Sequence, residues 1–271
     1  MKTFIKFDRT LDKQKTATFT GEGAYHGSSN KVPEQTPLLG EKKIFPNYNA
    51  LFNNCCEVKK ILAIPTQEAI QADGVTFVWA SFEEALKEAG PLTKTILEEM
   101  EPFLKRDKRF IYVDSKIQYF RKGDLPVDSK IWHVDGTVAI RGEAANNWDY
   151  TLLHDLRAKE KASIEDHYLA YQSSEHCATE WVMEPLTLSL PEYIPTFDLM
   201  DELVIAANPK CLSQPSASIL HFTDNSLHRA VPASGDGWRL WIRVLETDKE
   251  IKLSTNVVDC YGTVFRTEGG L

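Results

Sequence analysis

The segment Trp132-His133-Val134-Asp135-Gly136 places an imidazole and a carboxylate two residues apart. Along a strand, side chains two apart leave the same face, so both can reach one metal ion. A second segment, Ser218-Ile219-Leu220-His221-Phe222-Thr223-Asp224-Asn225-Ser226-Leu227-His228-Arg229-Ala230-Val231-Pro232, reads as a strand, a polar turn and a new strand opened by His228. A histidine from it would complete two imidazoles and one carboxylate. That set covers one face of an octahedral ion and leaves three coordination positions open. His228 and His221 compete for the role. The third segment, Gly237-Trp238-Arg239-Leu240-Trp241-Ile242-Arg243-Val244, alternates with the strand period. Arg239, Trp241 and Arg243 share one face, and Trp238, Leu240, Ile242 and Val244 the other. Guanidiniums on a strand otherwise suited to a core are costly unless each is paired, and their planar fork fits a carboxylate in bidentate fashion. The ordinary alternative for either arginine is a structural salt bridge.

The elements that must position these residues are legible as texture. From residue 108 onward, short β-rich runs recur between polar turns: Phe110–Val113, Ile117–Phe120, Thr137–Ile140, His167–Tyr171, Thr179–Met183, Ser218–Phe222 and Trp238–Leu245. Many short strands punctuated by Gly, Pro, Asp and Asn indicate a sandwich or jelly roll. Before them, Val75–Trp79 reads as a buried strand, and Ser81 caps a helix with Glu84 three residues on. Gly90-Pro91 ends that helix, and a second follows with Leu92, Ile96, Leu97, Met100, Phe103 and Leu104 at helical spacing. Residues 21–50, rich in Gly, Pro, Ser and Asn, read as an irregular surface extension. The polar stretch 141–166 reads as a long loop, either a functional cover or a solvated insertion. One domain is expected: an irregular and helical part over residues 1–107, a β core over 108–250, and a C-terminal extension over 251–271.

The 271-residue chain is 42% hydrophobic and 26% charged, with 31 basic and 39 acidic residues and a net charge of −8. This is the make-up of a globule with a sizeable core. The acidic balance weighs against nucleic acid, whose binders usually carry a basic footprint. The five cysteines, Cys55, Cys56, Cys177, Cys211 and Cys260, are odd in number and include an adjacent pair but no CxxC spacing. They suggest idle thiols in a reducing compartment rather than a disulfide framework. The start, Met1 to Asp8, has no apolar stretch long enough for a signal peptide, and no run approaches a membrane span. A cytoplasmic protein is the expectation. His26, His154, His167 and His176 lack partners at ligand spacing and are expected to be structural or exposed.

Taken in order, His-x-Asp, a distal His228 and an arginine eleven residues beyond it, within a β-rich half, resemble the iron(II)/2-oxoglutarate-dependent oxygenases over roughly residues 110–245. The resemblance implies a mainly β chain with α-helices, built on a double-stranded β-helix (a jelly-roll or cupin-like core) buttressed by N-terminal helices. It implies His133, Asp135 and His228 as ligands of iron(II), and Arg239 on the far carboxylate of 2-oxoglutarate. Arg243 also falls within the range for that arginine; otherwise it would hold an anionic group of the substrate. Thr137, Gln118 and Tyr119 are further candidates to touch the cosubstrate. The family's halogenases carry Gly or Ala where this chain has Asp135, so hydroxylation of a C–H bond is expected. Dioxygen would be consumed and 2-oxoglutarate decarboxylated to succinate. The expected substrate is a small molecule such as an amino acid or a natural-product intermediate. A nucleobase, a protein side chain, a keto-acid-independent cupin-like enzyme and a non-catalytic jelly roll are the alternatives.

Overall fold

The computed structural model of the chain describes residues 47–127, 130–135, 165–191, 198–251 and 265–266. In chain order these form β1 (Asn47–Phe52), β2 (Cys56–Ile61), α1 (Gln67–Asp73), β3 (Ala80–Ser81), α2 (Phe82–Glu88), α3 (Pro91–Met100), β4 (Phe110–Phe120) and β5 (Asp124–Leu125). There follow β6 (His167–Gln172), β7 (Thr179–Val182), β8 (Leu186–Pro191), α4 (Asp198–Ala207), β9 (Cys211–Ser213), β10 (Ser218–Thr223), β11 (His228–Ala230), β12 (Gly237–Thr247) and β13 (Phe265–Arg266). The expected strand at 137–140, residues 21–46 of the expected irregular extension and residues 141–164 of the expected loop lie outside the described residues, while residues 47–50 of that extension are not irregular but belong to β1.

The described part of the chain is mainly β, and every strand pair among the described residues is antiparallel. The large sheet has the order β2-β10-β6-β12-β4-β3. Its spine is the full-length pairing of β12 with β4, from Gly237 opposite Phe120 to Thr247 opposite Phe110. A smaller sheet has the order β11-β7-β9. It is widened by a bridge between His133 and His228. Two two-stranded ribbons, β1 with β8 and β5 with β13, complete the set.

Strand alternation gives the large sheet two apolar faces, and each is covered. On one, Val113, Ile117, Leu169, Tyr171, Ile219, Leu240, Ile242 and Val244 pack against Ile70, Phe82, Ala85, Ile96, Leu97 and Met100 of the three helices. Burying each Leu, Ile or Phe fully contributes roughly 1.5–3 kcal/mol, so this layer carries much of the fold. On the other face, Tyr168, Ala170, Leu220, Phe222 and Leu245 meet Trp181 of β7. The Trp181 and Phe222 ring centroids are 4.5 Å apart. This brings the small sheet over the inner face of the large one, and charged residues that alternate onto that face are enclosed.

Local rules account for the helix layer. Ser81 accepts the Glu84 N–H at 3.2 Å, as its spacing indicates. Asp73, at the end of α1, accepts the Leu92 N–H (2.8 Å) and Thr93 N–H (3.2 Å), satisfying the start of α3. A Cβ on Gly90 would collide with the Asp73 carboxylate and backbone, so glycine is required there. The expected strand over 75–79 is not formed. Phe77 instead bonds through its N–H to the Ser115 hydroxyl and through its carbonyl to the Ser115 N–H, both at 2.9 Å. Trp79 then turns into the left-handed region at φ 52°, and ladder pairing begins only at Ala80 opposite Val113. The two expected runs at 110–113 and 117–120 are one continuous strand, because Asp114, Ser115 and Lys116 all have places in the β12 ladder. The β1–β8 ribbon and α4 have no counterpart among the expected elements. No helix among the described residues is long and apolar enough to cross a membrane. The four described cysteines are free thiols.

Candidate metal centre

His133 and His228 are brought together by backbone, not by side-chain packing. Each donates its N–H to the other's carbonyl at 2.9 Å. Directly opposed residues of an antiparallel pair project to the same face, and the two imidazole centroids lie 4.4 Å apart. Asp135, two residues beyond His133 in the bend that follows the bridge, joins them on the same side. Donor atoms of His133, Asp135 and His228 all fall within 4.8 Å of one another, the one such group of three or more His, Cys, Asp or Glu among the described residues.

The imidazoles are oriented for ligation. His133 Nδ1 lies 2.9 Å from the Ile131 carbonyl, and His228 Nδ1 lies 3.0 Å from the Ser226 carbonyl. A carbonyl only accepts, so each Nδ1 carries the proton and each Nε2 is the nitrogen that can offer a lone pair to a metal. Asp135 divides its oxygens. Oδ1 is 3.9 Å from His228 Nε2, while Oδ2 accepts from Arg243 Nη1 at 2.8 Å. The wall behind His228 is aromatic: Trp181 stacks on it with centroids 4.6 Å apart, and Phe222 meets it edge-on at 5.6 Å.

Burial and charge keep His228 and Asp135 in the form a metal needs. Burial, and then the neighbouring His133, push His228 down to about 4. For Asp135 burial alone would raise the carboxyl, but Arg243, His228 and His133 outweigh it and hold it at about 2. The sign for stability follows. An unfolded histidine takes up its proton near pH 6.5, whereas folded His228 resists until about 4. The unfolded chain therefore binds more protons across that window. The contribution of His228 to the stability of the metal-free chain is complete above pH 6.5 and is lost toward pH 4, with a slope of up to about 1.4 kcal/mol per pH unit. His221, pushed down to about 4 by burial, Lys105 and His167, acts in the same direction. Denaturant unfolding at pH 7, 5.5 and 4.5 checks this; a flat profile would contradict it.

The two arginines, equivalent in the sequence pattern, differ in the structure. Arg243 is already paired: Nη1 to Asp135, and Nη2 to Asp114 Oδ2 at 3.0 Å. Its guanidinium also sits among Trp79, Trp241 and Tyr168, with ring centroids 5.1, 5.3 and 5.9 Å away. This differs from the free guanidinium that the sequence offered to 2-oxoglutarate or a substrate anion. Arg239, on the same face and about 13 Å along the strand, is 2% exposed. Its Nε has no hydrogen-bond partner, and no described carboxylate pairs with it. Phe120 lies beneath it at 5.9 Å. Burial pulls its pKa below the usual guanidinium value.

The lesser candidates separate by strand face. Gln118 lies directly opposite Arg239 in the ladder and donates to the Pro126 carbonyl at 3.2 Å. Tyr119 faces the other way, edge-on to Trp238 at 5.4 Å, and is thereby removed from the arginine face. His221 is likewise on the helix side of β10, 5.6 Å from the His167 ring, while its neighbour Phe222 faces the metal ligands. It therefore sits away from His133 and Asp135. His167 contacts Lys105 Nζ at 3.1 Å, and the His176 carbonyl accepts the Ser234 N–H at 2.7 Å; both are tied into the fold. Thr137 lies outside the described residues. Sequence reasoning missed Asp114, Trp79 and Trp181. Only Asp114 left a signal, as a charge on the inward phase of an otherwise core-like strand.

The chain matches no model of a known protein family, no curated protein and no solved structure, so its candidate site stands on its own geometry.

Proposed function

We propose that this chain is an iron(II)- and 2-oxoglutarate-dependent oxygenase that hydroxylates a C–H bond of a small molecule. One observation carries the reading. A two-histidine, one-carboxylate donor set is accompanied by a buried guanidinium, Arg239, which strand alternation sends to the same side of β12 as Arg243 and which has no carboxylate partner among the described residues. Strand order supports the same conclusion. Residues of β6, β10 and β12 in the six-stranded sheet pack on Trp181 of the three-stranded β11-β7-β9 sheet, which the His133 bridge extends. Two packed antiparallel sheets are consistent with a jelly roll, and the reading takes this one as a double-stranded β-helix.

The residues fit the implied groups. His133 and His228 through Nε2, and Asp135 through Oδ1, would hold the ion, leaving three positions open. Arg239 would pair with the distal carboxylate of the keto acid and so satisfy its own buried charge. When bound, iron(II) with 2-oxoglutarate and dioxygen supplies the oxidising power, with release of carbon dioxide and succinate. The chain's share is to fix the ligands, anchor the cosubstrate and exclude water, the last through Trp181, Phe222 and the aromatic surroundings of Arg243. A carboxylate at Asp135 leaves no ligand position for a halide, which favours hydroxylation.

Anaerobic titration tests the reading. One iron(II) per chain should bind, 2-oxoglutarate should bind only to the metal-loaded protein, and admitting oxygen should release succinate slowly without substrate. Metal binding without 2-oxoglutarate binding would point to a cupin-like enzyme of other chemistry. Binding of neither would sink the proposal.

A further inference from the structure

We propose that Arg243 is a positioning residue that fixes Asp135 as a one-oxygen ligand; the inference rests on the metal-site reading above. Asp135 Oδ2 is held by Arg243 Nη1 at 2.8 Å, while Oδ1 faces His228 Nε2 at 3.9 Å. A carboxylate free to rotate can offer both oxygens to an ion, which would fill one of the three positions the chemistry needs open. Arg243 removes that freedom by occupying the second oxygen. It can do so because its own place is over-determined. Asp114 accepts from the other guanidinium nitrogen at 3.0 Å. Trp79, Trp241 and Tyr168 supply faces for the cation. Trp79 reaches this position through its left-handed backbone at φ 52°, a conformation that is unfavourable for a bulky residue unless its surroundings enforce it.

The pairing also follows from register. Arg243 stands directly opposite Asp114 in the β12–β4 ladder, and an arginine is long enough to span from that strand to the loop bearing Asp135. Lysine can offer only a point charge here, so it should replace part of the function and not all of it.

Cobalt(II) titration of the full-length chain, followed by its visible ligand-field spectrum, tests the proposal. Wild type should bind one cobalt(II). Arg243→Met, which keeps the volume among the rings, should weaken binding about ten- to a hundredfold and alter the spectrum as Asp135 brings in its second oxygen. Arg243→Lys should recover much of the wild-type spectrum. A folded Arg243→Met variant with wild-type affinity and spectrum would overturn the role. If circular dichroism shows that variant unfolded, Asp114→Asn decides: a several-fold loss with the same spectral change supports the role, and wild-type values overturn it. Failure of wild type itself to bind cobalt(II) is a separate outcome, which removes the metal-site reading and this inference with it.

Discussion

Replacing Arg239 with methionine will weaken 2-oxoglutarate binding by at least a hundredfold while leaving the free chain as stable as wild type, or more so. The two effects have one cause. Arg239 is 2% exposed and has no carboxylate partner among the described residues. A buried charge without a partner opposes folding, and an apolar replacement of similar volume is often neutral or stabilising. The incoming carboxylate would accept two charge-assisted hydrogen bonds, each contributing about 1.5–3 kcal/mol. Their loss, about 3–6 kcal/mol, corresponds to two orders of magnitude or more in affinity. Calorimetry on the metal-loaded protein reads the first effect, and thermal unfolding of the metal-free protein reads the second. A variant that keeps its 2-oxoglutarate affinity, or that loses several kcal/mol of stability, would make Arg239 a structural residue.

His228→Ala and His133→Ala will each abolish stoichiometric metal binding, whereas His221→Ala will not. Structural sites with four protein ligands bind zinc by about 10–16 kcal/mol, so one ligand contributes roughly 2.5–4 kcal/mol, or about two to three orders of magnitude. With only three protein donors here, losing one leaves too few for micromolar binding. His221 is the necessary comparison, because in the sequence it was the competing candidate for the distal position. Its ring lies against His167 on the helix side of β10, with the sheet between it and Asp135. Metal content after gel filtration, measured for all three variants, gives the answer. Loss of metal in His221→Ala, or its retention in His228→Ala, would reverse the assignment.

What the sequence made legible was periodic. Alternation correctly sorted Arg239 and Arg243 from Leu240, Ile242 and Val244, because a strand between two packed layers has to present one phase to each. It also paired His133 with Asp135. Partnerships set by long-range register were not legible. The bridge from His133 to His228 and the facing of Arg243 by Asp114 join segments more than ninety residues apart, and no local pattern records a register. For the same reason the two arginines looked interchangeable, although one is held by two carboxylates and the other has no carboxylate partner among the described residues. Trp79 was misread for a different reason: a Val-Thr-Phe-Val-Trp run carries every compositional mark of a strand, and the Ser115 hydroxyl diverted it.

The reciprocal backbone bridge between His133 and His228 makes the site digital. Because neighbouring positions on a strand point to opposite sides, sliding either segment by one residue would swing its imidazole out of the interior altogether. Connections between the segments can lengthen or shorten at will, since the ligands refer only to each other. Within the few residues flanking each histidine, a single insertion or deletion erases the centre outright, with no weakened intermediate form for selection to repair.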